Sequence, residues 1–212
     1  MATSDAERIV QYVRSLPDFV VYKNIDGNYK HMGATVADAV LQANLRYKTH
    51  VKPRVNHILT RYAEARTTSA VLQLLASVPA TEFLSWRGKD RAERFSCVLD
   101  LFAAEKIETE TDLCEWLSHE ANLPKLLSIS GIGPKTVDYF KILVGESTSA
   151  IDRHLLNFLA LAGLRLSDYR RAQAVINTAA DMLSIDRAHF DHSIWQFMSK
   201  RARIAECERD SA

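Results

Sequence analysis

Residues 127–155 read LSISGIGPKTVDYFKILVGESTSAIDRHL and join a Gly-x-Gly turn to a helix start. Gly131 and Gly133 can adopt positive φ angles, or let another group come close to the backbone, more easily than other residues can. Pro134 is favoured at the first position of a helix because its missing N–H is not needed there. The sequence therefore predicts a bare helix N-terminus after Gly133, whose free N–H groups and positive dipole end suit a phosphate such as that of a nucleic-acid backbone. An ordinary turn between helices is the alternative.

This segment resembles the helix-hairpin-helix motif of the base-excision DNA glycosylases (the HhH-GPD superfamily), which include endonuclease III, the adenine-mismatch glycosylase and the 8-oxoguanine glycosylase. Hairpins of that family read L-P-G-[VI]-G-x-K-T-A, followed by a helix and V-D-[TV]-H. Residues 129–137 (ISGIGPKTV) and 151–154 (IDRH) match that pattern. The departures are Ser130 for proline, Val137 for alanine and Arg153 for a small residue, and none removes a group that the chemistry requires.

The resemblance, which extends over about residues 33–200, implies an all-α fold of two helical subdomains that flank a DNA-binding cleft. One subdomain is expected to be discontinuous, built from residues 1–32 and 146–212. The other is expected to be central, residues 33–145, with the helix-hairpin-helix near its end at about 123–144.

The hydrophobic pattern by itself also predicts helices. Apolar residues recur at helical spacing almost throughout, which indicates about a dozen short helices. Ser4 and Glu7 form a capping box, and Thr35 with Asp38 forms a similar pair that predicts a second helix start. Segment 19–29, with its Asp-Gly turn, indicates one short β-hairpin near the N-terminus.

Two residues are candidates for catalysis. Lys135 is the second residue of the predicted helix, where the dipole and any burial disfavour a protonated amine, and a neutral amine can attack C1′ of a nucleotide and form a Schiff base. In the resembled family, a lysine here marks members with AP-lyase activity. Asp152 suits a helix N-cap, and the resemblance implies that it stabilises charge on the sugar or deprotonates the attacking group. The alternative for Lys135 is phosphate contact alone, or a pair with Asp138.

Further DNA-contacting residues follow from the resemblance. Segment 40–47 resembles a helix end from which a glutamine enters the DNA, and a side chain that fills the hole left by an extruded base helps offset the few kcal/mol of unstacking. Gln42, Asn44 and Tyr47 are candidates for filling this hole or for lining the base pocket, with a plain surface helix end as the alternative. The predicted DNA-contacting set is Gly131, Gly133, Pro134, Thr136, Gln42, Asn44, Arg46, Tyr47, Lys48, Arg153 and His154. For His154, a packing contact is an equal alternative, and for the basic cluster 46–54 it is a solvated helix face.

Composition limits the cofactors and the cellular location. The net charge is only +1, so support for nucleic-acid binding has to come from local clusters of charge. Three widely spaced cysteines cannot supply the four ligands of the iron-sulfur cluster that many members of the resembled family carry. No cofactor is expected, except that the backbone carbonyls of Ile129 and Ile132 are candidate ligands of a monovalent cation, as in relatives. Without a membrane-length apolar run or a signal-peptide core, we expect a protein of the cytoplasm or nucleoid, or of the nucleus of a eukaryote, with no membrane partner. We also expect a monomer.

The sequence therefore predicts a base-excision DNA glycosylase with AP-lyase activity that acts on double-stranded DNA containing a damaged or mismatched base or an abasic site. The hairpin is most like that of endonuclease III, which favours an oxidised or mismatched pyrimidine and leaves 8-oxoguanine open. Two alternatives remain. One is a monofunctional glycosylase that uses water activated by Asp152, and the other is a non-catalytic DNA-binding protein.

Overall fold

The computed structural model describes residues 4–42 and 45–210, with side chains as far as residue 202. Within these residues the chain forms twelve α-helices, one π-helical and one 3-10 turn, and no β-strand, so the all-α prediction is confirmed. The helices are α1 (Asp5–Ser15), α2 (Met32–Leu41), α3 (Lys52–Arg61), α4 (Thr68–Leu75), α5 (Ala80–Phe83), α6 (Lys89–Ala104), α7 (Glu110–Ser118), α8 (Leu123–Leu127), α9 (Pro134–Leu143), α10 (Arg153–Leu161), α11 (Tyr169–Met182) and α12 (Arg187–Asp210).

The chain divides into two compact units, of which the first comprises Met1–Ile25 with Ser147–Ala212. In this unit α1 packs on α11, and α10 packs on α12, around an apolar core that includes the fully buried Phe158. The predicted capping box starts α1: the Glu7 N–H donates to Ser4 Oγ at 3.2 Å, and the Ser4 N–H donates to the Glu7 carboxylate at 2.6 Å.

The second unit comprises Asp26–Glu146 and is built around α2. All ten residues of α2 are buried, and it packs against α3, α6 and α9. Its small side chains allow these neighbours to approach closely. A Cβ atom added at Gly33 would lie 2.8 Å from the ring of Phe83, so the absence of a side chain here is required by packing.

The predicted start of α2 is wrong by four residues, since the predicted cap is Thr35. The helix begins at Met32, after the N-cap His31, whose Nδ1 accepts the Ala34 N–H at 3.2 Å. Thr35 and Asp38, which the sequence places in a capping pair, therefore lie inside the helix and are both buried. Their side chains are satisfied by tertiary contacts instead, since the Thr35 hydroxyl donates to the Glu110 carboxylate.

The predicted β-hairpin over residues 19–29 is also wrong, because this described segment contains no strand. The Tyr22 N–H donates to Ser193 Oγ at 2.9 Å, and the Asn28 N–H donates to the Leu143 carbonyl at 2.7 Å. Backbone groups that would pair across a hairpin are thus satisfied by helices of the two units.

Membrane insertion finds no support in the described helices, since none of them has both the length and the apolar character that a bilayer span demands.

Candidate active site

The turn between α8 and α9 uses its two glycines in different ways. Gly131 has φ +82°, a conformation that favours glycine. Gly133 has φ −115° and ψ 178°, an extended conformation open to any residue, so the expectation of special backbone freedom does not apply to it. A Cβ atom added at Gly133 would have no neighbour within 4 Å. The missing side chain instead leaves open space in front of the helix start.

The start of α9 agrees in part with the predicted bare N-terminus. Pro134 is its first residue, and no side chain caps it. The amides of Thr136 and Val137 both donate to the Gly133 carbonyl, at 2.9 and 3.1 Å. Fewer N–H groups are therefore available to an anion than the sequence predicted. Thr136, predicted to contact DNA, is buried.

The side chain of Lys135 contacts Gln42 and Tyr139 of the same unit. Its Nζ donates to Oε1 of Gln42 at 2.7 Å and lies 4.8 Å from the centroid of the Tyr139 ring. A cation near an aromatic face is attracted by the negative potential of the ring, so both contacts suit an ammonium group. Gln42 is the C-cap of α2, which brings the end of that helix directly to the start of α9.

A buried carboxylate, Asp38, lies one helical turn before Gln42 and bonds to Tyr139, which lies one helical turn after Lys135. Asp38 precedes Gln42 by four positions on α2, and its Oδ1 accepts the hydroxyl of Tyr139 at 3.2 Å, four positions after Lys135 on α9. Its Oδ2 accepts the hydroxyls of Tyr29 at 2.6 Å and Tyr47 at 3.2 Å. Among the described residues, the hydrogen-bond donors to Asp38 are thus all tyrosine hydroxyls.

Burial controls the protonation of this cluster. It raises the pKa of Asp38 from 3.8 to about 6, and the three tyrosine hydrogen bonds oppose that rise because they favour the carboxylate. Burial and the nearby Asp38 charge raise the pKa of Tyr29, Tyr47 and Tyr139 above the usual range for tyrosine. The tyrosines therefore stay protonated and act as donors at neutral pH.

Among the residues near the end of α2 that were predicted to contact DNA, those that the structure describes have different orientations. The side chain of Tyr47 points into the protein, toward Asp38, whereas Arg46 and Lys48 are exposed. Asn44 lies outside the described residues. Gln42 ends its helix, as the resemblance implies, but its amide oxygen is engaged by Lys135.

Three predicted site residues lie in the first unit, at the start of α10. Asp152 is the N-cap, and its Oδ1 accepts the N–H groups of His154 at 2.7 Å and Leu155 at 3.0 Å. Arg153 is exposed. The His154 ring packs edge-on against Trp195, with centroids 6.1 Å apart, which matches the packing alternative for this histidine.

Sequence reasoning missed Arg94 of α6, whose side chain covers the turn. Its Nε donates to the Ser130 carbonyl at 2.6 Å, and a Cβ atom at Gly131 would meet its guanidinium at 1.9 Å. Burial lowers the pKa of the neighbouring Arg91, and the positive charge of Arg94 lowers it further. In the sequence Arg94 belongs to a segment of mixed charge, residues 89–94 (KDRAER), and nothing connects it to a turn 36 residues away.

The turn fits a monovalent cation less well than the resemblance implies. The Ile129 carbonyl, one of the two candidate ligands, accepts the Ile132 N–H at 3.0 Å. The Arg94 guanidinium on the intervening Ser130 carbonyl also places a positive charge at the same turn, and a like charge disfavours a second cation. We assign no role in the chemistry to a cation here.

Comparison with known proteins identifies one family. A family model described as a domain of unknown function (DUF8548) matches residues 7–199. No curated protein and no solved structure matches the chain. The matched region covers most of both compact units, and the chain therefore belongs to the DUF8548 family.

Proposed function

We propose that this protein is a DNA glycosylase with associated AP-lyase activity and that Lys135 is its nucleophile. The observation that carries the proposal is the 2.7 Å hydrogen bond between Lys135 and Gln42. The resemblance gives these residues neighbouring tasks, since the lysine attacks the sugar of an extruded nucleotide and the glutamine enters the duplex beside it. Their direct contact supports that assignment because both side chains have to reach the same nucleotide.

The proposed reaction proceeds in two stages. The neutral Lys135 amine attacks C1′, the bond between C1′ and the base breaks, and the base leaves with the bonding electrons and takes up a proton. The sugar ring then opens to give an imine between Nζ and C1′. Loss of a proton from C2′ allows the C3′–O bond to break, and the 3′ phosphate group leaves as an anion, which cleaves the strand.

Asp152 is assigned its role from the IDRH motif. A carboxylate near the sugar stabilises the positive charge that develops as the base leaves, or accepts a proton from the attacking amine. The N-cap geometry supports this assignment because two backbone N–H bonds hold the carboxylate in one orientation. A rigid carboxylate is what a charge-stabilising role requires.

The proposed partner is double-stranded DNA, held by its phosphates beside the turn. Open space in front of Gly133, an uncapped helix start and the Arg94 guanidinium lie together there. Amide groups and guanidinium groups are both good phosphate ligands. As for the base, the likeness of the hairpin to endonuclease III makes oxidised pyrimidines the first substrates to test.

Borohydride trapping on a duplex with one abasic site tests the proposal. Reduction of the imine leaves a stable secondary amine that joins protein to DNA. We expect an adduct with the wild type and with Lys125→Ala, and none with Lys135→Ala. Lys125 is the matched control, an exposed lysine of the same unit that pairs with Glu105 at 2.7 Å. An adduct with Lys135→Ala contradicts the assignment of the nucleophile.

Other results of these assays would identify one of the two alternative functions. Release of a damaged base without strand cleavage or adduct, lost in Asp152→Asn, identifies a monofunctional glycosylase that uses water. Binding to DNA with neither base release nor an adduct identifies a non-catalytic DNA-binding protein.

A further inference from the structure

We propose that Asp38 is a positioning residue for Lys135 and acts through Tyr139. This inference rests on the proposed function, because it assigns a task in the reaction of Lys135 to a buried carboxylate. For the residues around Asp38, the sequence predicted a helix cap at Asp38 itself and a DNA contact for Tyr47, and no role for Tyr139.

Helices α2 and α9 contact each other through matching pairs of residues. Each helix contributes two residues spaced four positions apart, and such residues lie on the same face. The pairs are joined by two parallel contacts, Gln42 with Lys135 at 2.7 Å and Asp38 with Tyr139 at 3.2 Å. The Tyr139 ring also lies 4.8 Å from Lys135 Nζ, so one side chain belongs to both contacts.

Burying the Asp38 carboxylate lowers the stability of the folded protein. A carboxylate fully removed from water is unfavourable unless it is well paired, and apolar replacements of buried charged groups are often neutral or stabilising. The partners of Asp38 among the described residues are uncharged tyrosines. A group that weakens the fold in this way has a reason to remain if it fixes the orientation of something functional.

The bond to Asp38 restrains the Tyr139 ring. A tyrosine ring held at its hydroxyl cannot swing about its own side-chain torsions without breaking the bond to Asp38. Its face therefore stays under the ammonium, while Gln42 fixes the direction of the N–H bond. Lys135 has four rotatable bonds, and holding its amine in one place lowers the entropic cost of reaching the attack geometry.

Three variants separate this role from a general effect on stability. Tyr139→Phe keeps the aromatic ring and removes the hydroxyl that bonds Asp38. Tyr29→Phe is the matched control, since it removes another hydroxyl from the same carboxylate, at an even shorter distance of 2.6 Å, without touching Lys135. Asp38→Asn is the third variant and carries an uncharged group of the same shape.

The first measurement is the trapping rate constant at saturating protein, with the DNA dissociation constant measured separately. We expect Tyr139→Phe and Asp38→Asn to slow trapping about tenfold while the dissociation constant stays within about twofold, because a misplaced nucleophile affects the reaction rather than binding. The double variant should be no slower than either single one. Tyr29→Phe should trap at nearly the wild-type rate. Equal slowing in both phenylalanine variants, or no slowing in Tyr139→Phe, overturns the inference.

The second measurement needs no activity. Formaldehyde with cyanoborohydride methylates lysines of the free protein, and mass spectrometry follows Lys135 against Lys125 as the internal reference. We expect Lys135 to react about fivefold faster in Tyr139→Phe, the factor that corresponds to the loss of one cation–π contact as the ring is released, and unchanged in Tyr29→Phe. An unchanged rate in Tyr139→Phe overturns the inference. A different result is faster methylation of Lys135 in Tyr139→Phe together with no borohydride adduct from the wild type. That result supports the positioning of Lys135 and overturns the proposed function.

Discussion

Gln42 and Lys135 join the end of one helix to the start of another through a 2.7 Å hydrogen bond. Gln42 is the C-cap of α2, and Lys135 is the second residue of α9. The two residues are 93 positions apart in the chain, so the contact exists only because α2 packs on α9.

Gln42→Glu should slow trapping about tenfold at neutral pH and move its optimum to higher pH, because a carboxylate beside an amine favours the protonated, non-nucleophilic form. Trapping rate against pH measures this. Gln73→Glu, on the exposed face of α4, is the control for added negative charge and should leave the profile unchanged. A profile for Gln42→Glu that matches the wild type contradicts the prediction.

Arg94→Gln should weaken DNA binding and reduce the slope of log affinity against log salt by about 1, since one phosphate contact releases about one counterion. Fluorescence anisotropy with a labelled duplex at several salt concentrations measures the slope. Arg8→Gln, an exposed change in α1, should leave the slope as in the wild type. If Arg94→Gln also keeps that slope, Arg94 makes no phosphate contact.

The two turn glycines should respond differently to alanine. Gly131→Ala should lower the free energy of unfolding by about 1–2 kcal/mol, because φ +82° is unfavourable for a residue with a side chain. Gly133→Ala should fold as stably as the wild type, since its backbone is extended and its surroundings are open. If a phosphate approaches there, its DNA affinity should still fall about tenfold, the size of one lost charge-assisted hydrogen bond. Urea denaturation and DNA titration measure the two effects, and unchanged affinity in Gly133→Ala argues against phosphate contact at that residue.

Asp152→Asn should separate capping from catalysis. Asparagine caps a helix about as well as aspartate, so the stability should change by less than about 0.5 kcal/mol, whereas Asp152→Ala should lose about 1 kcal/mol. Base release should fall about a hundredfold or more in both variants, because neither has the carboxylate. Thermal unfolding and a single-turnover excision assay provide the comparison. Full excision by Asp152→Asn excludes the proposed role of the carboxylate.

Asp38 should make folding stability depend on pH. Its pKa is raised from 3.8 to about 6 in the folded protein, so the folded state binds this proton more tightly than the unfolded state does. The contribution of Asp38 therefore favours folding below about pH 4 and is lost as the pH rises to about 6, a change of at most about 3 kcal/mol. Relative to the wild type, Asp38→Asn should thus be more stable at pH 7.5 than at pH 4. Urea denaturation at both pH values measures this, and a pH-independent difference rejects it.

Local patterns were sufficient for much of the helical structure. The capping box at Ser4 and Glu7 marks the start of α1, and Pro134 marks the start of α9, because each depends on residues within one turn of the helix. The N-cap position of Asp152 is predictable for the same reason. The π-helical turn Tyr47–Val51 had no such local signal and was not predicted.

Long-range contacts decided the features that local patterns gave wrongly. Segment 19–29 has the alternation and the turn of a β-hairpin, but its amide groups at Tyr22 and Asn28 bond to distant helices. Asp38 has the spacing of a capping residue, yet the chain already turns into a helix at His31, which leaves the carboxylate inside. Arg94 reaches the turn only because α6 packs beside α8.

The sequence by itself thus determined the helical class, the turn before α9 and the position of Lys135 at the second residue of that helix, since hydrophobic period, proline and glycine act within a few residues. Only the tertiary structure decided what surrounds the lysine. Gln42, Tyr139 and the buried Asp38 meet it because two helices from distant parts of the chain pack face to face, and a sequence pattern carries no information about which faces will meet.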